Sequence, residues 1–259
     1  MIKGVILDLD GTVYLGKEEV PGAARFIAYL RQSGIKYLFV TNRANRTPTV
    51  VAEHLCTYGI PCTENDVLTS AQATVQYLKR GSAYYIGEEG LKVELEKAGM
   101  AVNEEAPDYV IVSFDRTFTY DKLKKACRLI DAGAKFIATN PDKALKTATG
   151  LTPGTGSIVA AVAAGSGAEP IMIGKPERLI MDMSLERLGL AREEVINVGD
   201  NVATDILAGL RAGIRTAFIL TGISNRDDLA KSDLKPTWVV EGYAELTEIV
   251  RRENEMAEG

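Results

Sequence analysis

A single histidine, His54, stands among 259 residues. That scarcity excludes zinc sites built on two imidazoles and the HExxH proteases. A Ser-His-Asp triad would have to recruit His54, and no GxSxG turn accompanies it. Cysteine is almost as rare. Cys56, Cys62 and Cys127 form an odd set without CxxC spacing, which predicts reduced thiols and a cytoplasmic protein. No apolar run approaches the ~18 residues of a membrane-spanning helix. The opening MIKGVILDLDG turns acidic too soon for a secretory signal. Positive charge is not in excess either: 30 Lys and Arg stand against 35 Asp and Glu, for a net charge of -5. This excludes a dedicated nucleic-acid binder and leaves room for a small anionic ligand met by local cations.

What is present is an ordinary globular composition, 46% hydrophobic, long enough for one large domain or two modest ones. Short apolar runs alternate with helix-period segments from end to end. Residues 4–9, 36–42, 83–87, 108–114, 135–140, 171–175, 194–200, 215–222 and 238–240 read as strands. Residues 21–33, 47–58, 89–98, 120–132, 156–165, 177–188, 203–212 and 243–252 read as helices, with a frayed tail after them. This alternation predicts an α/β fold, a Rossmann-like doubly wound parallel sheet covered by helices. Soft breaks near 79–82 and 165–170 predict an inserted smaller α/β domain. The core would then be 1–79 plus 171–259 and the insert 80–170.

Four strand ends carry polar groups. The first ends in Asp8-Leu9-Asp10-Gly11-Thr12, the second in Thr41-Asn42-Arg43. Lys175 follows a later strand; it is not a P-loop lysine, because Glu169 occupies the position of the first glycine. Asp200 follows another strand, with Asp205 a turn further on. Taken singly, each group also fits a blander role as a turn residue, a helix cap or a solvated surface charge. Taken together, they gather at the carboxyl edge of a parallel sheet, where such folds bind ligands. Carboxylates converging on one point suit a hard cation, with Mg²⁺ the natural choice. A lysine and a hydroxyl beside the metal make a phosphoryl-transfer site.

These residues resemble the haloacid-dehalogenase superfamily, whose four motifs occur in order: DLDGT at 8–12, Thr41, Lys175 and GDNVATD at 199–205. TNPD at 139–142, LTPGTGSIVAAV at 151–162, IGKPE at 173–177 and LTG at 220–222 are similar to its NagD-like, p-nitrophenylphosphatase branch. The resemblance implies a phosphatase of small phosphorylated metabolites. Asp8 would be the nucleophile, forming an aspartyl phosphate. Asp10 would be the general acid and base. Thr41, Asn42 and Lys175 would bind the phosphoryl group, with Lys175 also restraining Asp8. Mg²⁺ would be held by Asp8, the Asp10 carbonyl and Asp200, with Asp205 acting at one remove or through water. The insert would be a cap that closes over the site, reads the leaving group and carries homodimer contacts. In the insert, Asp115, Arg116, Asn140 and Asp142 are the candidates for contacting substrate, joined by Arg43 beside Thr41. One departure from the branch is TNRANR at 41–46 in place of TNN, which adds Arg43 and Arg46. A phosphomutase-like transferase and a non-enzymatic phosphoacceptor module are the alternatives. Asp10 separates the latter from an enzyme, since binding does not need a second acid and turnover does.

Overall fold

Gly4–Leu7 is an unbroken apolar run and forms a strand buried on both faces, as the centre of a parallel sheet requires. In this computed structural model, which describes residues 1–147 and 150–258, the strand lies inside a six-stranded sheet. The order is Trp238–Val240, Arg215–Ile219, Val195–Gly199, Gly4–Leu7, Lys36–Thr41, Val67–Thr69. Gly4–Leu7 pairs in parallel with both neighbours, and Leu7 stands opposite Val198 and Phe39. That register brings the carboxyl ends of three strands nearly level. Helix Ala23–Gln32 buries Ala23, Phe26, Ile27 and Leu30, an i, i+3, i+4, i+7 stripe, in the core beside this sheet. The last helix, Tyr243–Glu258, packs beside it.

A second sheet has the order Ile171–Met172, Lys135–Ala138, Tyr109–Val112, Ser82–Ile86, Ala101–Val102, all paired in parallel. Helices Tyr120–Asp131 and Thr155–Ser166 pack against each other, and their apolar faces share a core with its strands. Both bodies are therefore α/β, as the alternation predicts.

The chain divides into two compact units. The first is Met1–Thr41, Val51–Leu68 and Lys175–Gly259; the second is Asn42–Val50 and Thr69–Gly174. These limits differ from the expected 80–170 for three local reasons. Helix Ser70–Leu78 packs on helix Glu89–Lys97 and so belongs with it. Segment 42–50 is tied to the same region: Gly90 N donates to Asn45 O at 3.3 Å, and Asn45 Nδ2 to Glu88 Oε2 at 3.3 Å. Ile171–Met172 pairs with Lys135–Ala138 instead of extending the first sheet. The last helix also outruns its expected end at 252. Asn254 clamps the Ile2 peptide through both its amide atoms, and Glu253 pairs with Arg215 at 2.6 Å. No helix among the described residues is long and apolar enough to cross a membrane.

Candidate active site

Parallel register does most of the assembly. Asp8 follows Gly4–Leu7, Asp200 follows Val195–Gly199, and Thr41 ends Lys36–Thr41, buried to 2% exposure. Asp205 arrives by a different device. The helix after Asp200 opens with a wide turn, Val202–Ile206, in which Ile206 N reaches back five residues to Asn201 O. Asn201 N donates to Asp205 Oδ2 at 3.0 Å, and Asn197 Nδ2 to Asp205 O at 2.8 Å. These contacts turn the Asp205 carboxylate toward the sheet. One oxygen from each of Asp8, Asp200 and Asp205 then lies within 4.8 Å of the others.

Lys175 is buried among them. Its Nζ donates to Asp8 Oδ1 at 2.5 Å and to Val40 O at 3.0 Å, and pairs with Asp205 Oδ1 at 2.8 Å. Burial works against this charge, but the carboxylates of Asp205 and Asp8 outweigh it and raise the lysine above its ordinary range. Burial also pushes Asp8 well up, opposed by Lys175 and reinforced by Asp205 and Asp200. Asp200 is pushed up to about 6, first by burial and then by Asp205. Three carboxylates against one ammonium leave two negative charges uncompensated, the charge of one divalent cation. All the donors are hard oxygens, so the cluster fits Mg²⁺.

The turn after Asp8 is built around Asp200. Gly11 sits at φ +91, and a β-carbon there would collide with the Asp200 carboxylate, so only glycine serves. Thr12 Oγ1 donates to Asp200 Oδ1 at 2.8 Å, and Ile223 N to Oδ2 at 2.7 Å. Thr221 Oγ1 holds Gly11 O at 2.7 Å, and the buried Tyr243 hydroxyl holds Thr12 O at 2.8 Å. Sequence reasoning missed Thr12, Thr221 and Tyr243 as functional residues. The first two stand inside recognised motifs and could have been read from them. Tyr243 carries no local signal, because its partner is 231 residues away. Asp10 lies in the same turn, half-buried, and is not one of the three gathered carboxylates.

The second unit brings some expected residues together and gives others partners elsewhere. Asn42 Nδ2 donates to both carboxylate oxygens of Asp142 at 3.2 Å, and Asn140 Nδ2 to Asn42 O at 2.8 Å. Arg43 and Arg46 lie half-buried on the same segment. Asp115, expected to meet substrate, closes its own turn instead. It accepts from Thr117 N and Oγ1 and from Lys122 Nζ at 2.6 Å, with its side chain 1% exposed. Arg116 is spent on a two-pronged pair with Glu88, at 2.7 and 3.0 Å. His54 packs between Tyr14 and Tyr58, with Nε2 3.2 Å from the Tyr58 hydroxyl.

Comparison with known proteins agrees with this arrangement. Residues 5–101 match the family model of haloacid dehalogenase-like hydrolases, and residues 172–246 match a second model of HAD-hydrolase-like proteins. The chain is 42% identical over 247 residues to the 5'-nucleotidase YutF of Bacillus subtilis, covering 94% of this chain and 96% of that protein. It is 42% identical over 238 residues to an acid sugar phosphatase of Staphylococcus epidermidis, covering 90% and 92%. Its structure is similar to that of NagD from E. coli K-12, with a TM-score of 0.89 at 37% identity, covering 94% of this chain and 98% of that one. Sequence, fold and relatives converge: the chain belongs to the haloacid dehalogenase-like hydrolases, in their NagD-like branch of phosphomonoester hydrolases.

Proposed function

We propose that this chain hydrolyses small phosphomonoesters in two phosphoryl transfers, with Asp8 as the intermediate acceptor and Mg²⁺ as cofactor. The observation that carries the reading is the Lys175 ammonium held between Asp8 and Asp205 inside a cluster of buried carboxylates. A buried acid can act as a nucleophile only when ionised, and Lys175 supplies the positive charge that favours the ionised form against burial and the neighbouring carboxylates. Asp8 attacks phosphorus while the bond to the leaving oxygen breaks, and Asp10 donates a proton to that oxygen. Asp10 then takes a proton from water, which attacks the aspartyl phosphate and releases inorganic phosphate and free Asp8. Thr41 and Lys175 hold the phosphoryl oxygens. Asp8, Asp200 and Asp205 would hold Mg²⁺, which when bound neutralises charge on the phosphoryl group.

Relatives named for a nucleotidase and for sugar phosphatases point to a small phosphorylated metabolite, a sugar phosphate or a nucleoside monophosphate. Selectivity falls to the second unit, with Arg43 as the cation suited to a second anionic group on the substrate. Three free cysteines support a cytoplasmic setting. The test is release of phosphate from p-nitrophenyl phosphate, followed by a panel of phosphorylated metabolites. Turnover should require Mg²⁺ and stop with EDTA. Full activity after exhaustive chelation would reject the cofactor, and no release by folded, magnesium-loaded protein would reject the activity.

A further inference from the structure

The turn that carries Asp10 is anchored on both sides, and every residue of the arrangement lies in the first unit. Upstream, Asp8 N donates to Val198 O at 3.0 Å, and the Leu9 side chain is fully buried. Within the turn, Leu9 O accepts from Val13 N at 2.8 Å and from Tyr14 N at 3.1 Å, and Gly11 N donates to Tyr14 O at 2.8 Å. Downstream, two consecutive carbonyls are held by side chains from the far end of the chain. Gly11 O accepts from Thr221 Oγ1 at 2.7 Å, and Thr12 O from the Tyr243 hydroxyl at 2.8 Å. Both donors are fixed independently of the turn. Thr221 follows the strand Arg215–Ile219 by two residues. Tyr243 opens the last helix, 2% exposed, with its ring centroid 5.2 Å from that of Phe26. A phenylalanine would supply the same packing, and a buried hydroxyl costs free energy unless it is bonded. What the hydroxyl adds is its bond to Thr12 O.

We propose that Tyr243 and Thr221 are positioning residues for proton transfer by Asp10: by holding the Thr12 and Gly11 carbonyls they keep the Asp10 carboxyl within reach of the leaving oxygen. The proposal rests on the reading of Asp10 as the acid. As the bond from phosphorus to the leaving oxygen breaks, its electron pair stays on that oxygen, and the Asp10 proton moves to it. Such a transfer needs the two oxygens within about 2.6–3.2 Å. Asp10 sits between the Leu9 anchor and the two held carbonyls, so loosening either carbonyl lets its carboxyl drift. A misplacement of about 1 Å at a reacting group can cost on the order of a hundredfold in rate. The loss falls unevenly across substrates, because a basic leaving oxygen needs the proton and an acidic one hardly does.

The test compares kcat/KM on phenyl phosphate, a poor leaving group, with kcat/KM on p-nitrophenyl phosphate, a good one of similar size. Both are measured with saturating Mg²⁺ and well below the melting temperature. Tyr243→Phe should lower the constant for phenyl phosphate by about ten- to a hundredfold and that for p-nitrophenyl phosphate several times less. Thr221→Val should show the same uneven loss, and it decides the matter if Tyr243→Phe does not fold. A purely structural role would lower the melting temperature and leave the ratio of the two constants at its wild-type value, which overturns the proposal. An uneven loss in one variant alone would assign the role to that residue and overturn it for the other. Asp10→Asn separates this proposal from the reading beneath it. If Asp10→Asn loses equally on both substrates, the reading of Asp10 as the acid fails and the proposal falls with it. If Asp10→Asn loses unevenly while Tyr243→Phe and Thr221→Val keep the wild-type ratio, the proposal alone is overturned. Support is an uneven loss in each single variant, with Asp10→Asn/Tyr243→Phe little worse on phenyl phosphate than Asp10→Asn, because both act through one carboxyl.

Discussion

Asp8 and Lys175 form a pair in which each residue depends on the other for its charge. The lysine opposes the burial that pushes Asp8 towards its protonated form, and the carboxylates keep a buried lysine protonated. Asp8→Asn should therefore abolish turnover, by about three orders of magnitude or more. It should not lower the melting temperature of the chelated protein, since it removes one of three crowded negative charges. Near-wild-type activity of that variant would reject the covalent route. Asp10→Asn should be nearly inactive on alkyl phosphates and less impaired on p-nitrophenyl phosphate, whose leaving group needs little acid help. Equal losses on both substrates would remove Asp10 from the role of acid. Tyr243 tests support at a distance. Tyr243→Phe keeps the ring against Phe26 but leaves Thr12 O without its donor. A loss of about 1–3 kcal/mol in denaturant titration is expected, and an unchanged midpoint would show that the bond contributes nothing.

The strands that deliver the site were legible because each is a run of apolar residues closed by a polar one. Gly4–Leu7, Lys36–Thr41 and Val195–Gly199 needed only that pattern and the rule that ligands gather at carboxyl ends. The places of Asp8, Thr41 and Asp200 were legible on the same grounds; that of Lys175 was not, because the strand before it, Ile171–Met172, pairs in the second sheet. The strand Val67–Thr69 and the helix Ser70–Leu78 were not, because three-residue strands carry no period and this helix mixes small, polar and apolar residues. A signal was there nonetheless: Thr69 and Gln72 form a capping box, with each side chain bonded to the other's backbone. Thr69→Ala should destabilise the protein by about 1 kcal/mol in urea titration, and no shift would mean that tertiary packing alone sets the start of this helix. The commitments of Asn140 and Asp115 were unreadable for another reason. A polar residue after a strand looks the same in sequence whether it faces a ligand or its own turn, and only its neighbours in space decide.

Across the whole molecule, the cluster of Asp8, Asp200 and Asp205 links stability to acidity and to metal. Asp200 titrates near 6 in the fold against an ordinary value of 3.8, so the folded chain binds more protons between those limits. Its contribution to stability therefore falls as pH rises from about 4 to about 6. A divalent cation relieves the same repulsion but must compete with protons to do so. The rise in melting temperature on adding Mg²⁺ should therefore be larger at pH 7.5 than at pH 5, and an equal rise at both would place the ion elsewhere. The sheet order has a consequence in time as well. Gly4–Leu7 lies beside Val195–Gly199, so Asp8 is made early and meets its partners only after the whole second unit has been synthesised. At about 5–20 residues per second, roughly ten to forty seconds separate the making of Asp8 from that of Asp205. Throughout that interval the growing chain carries its first acid as an ordinary hydrated carboxylate. The mutual repulsion of the three acids, and with it the capacity to capture a cation, arises only as the last partner emerges from the ribosome.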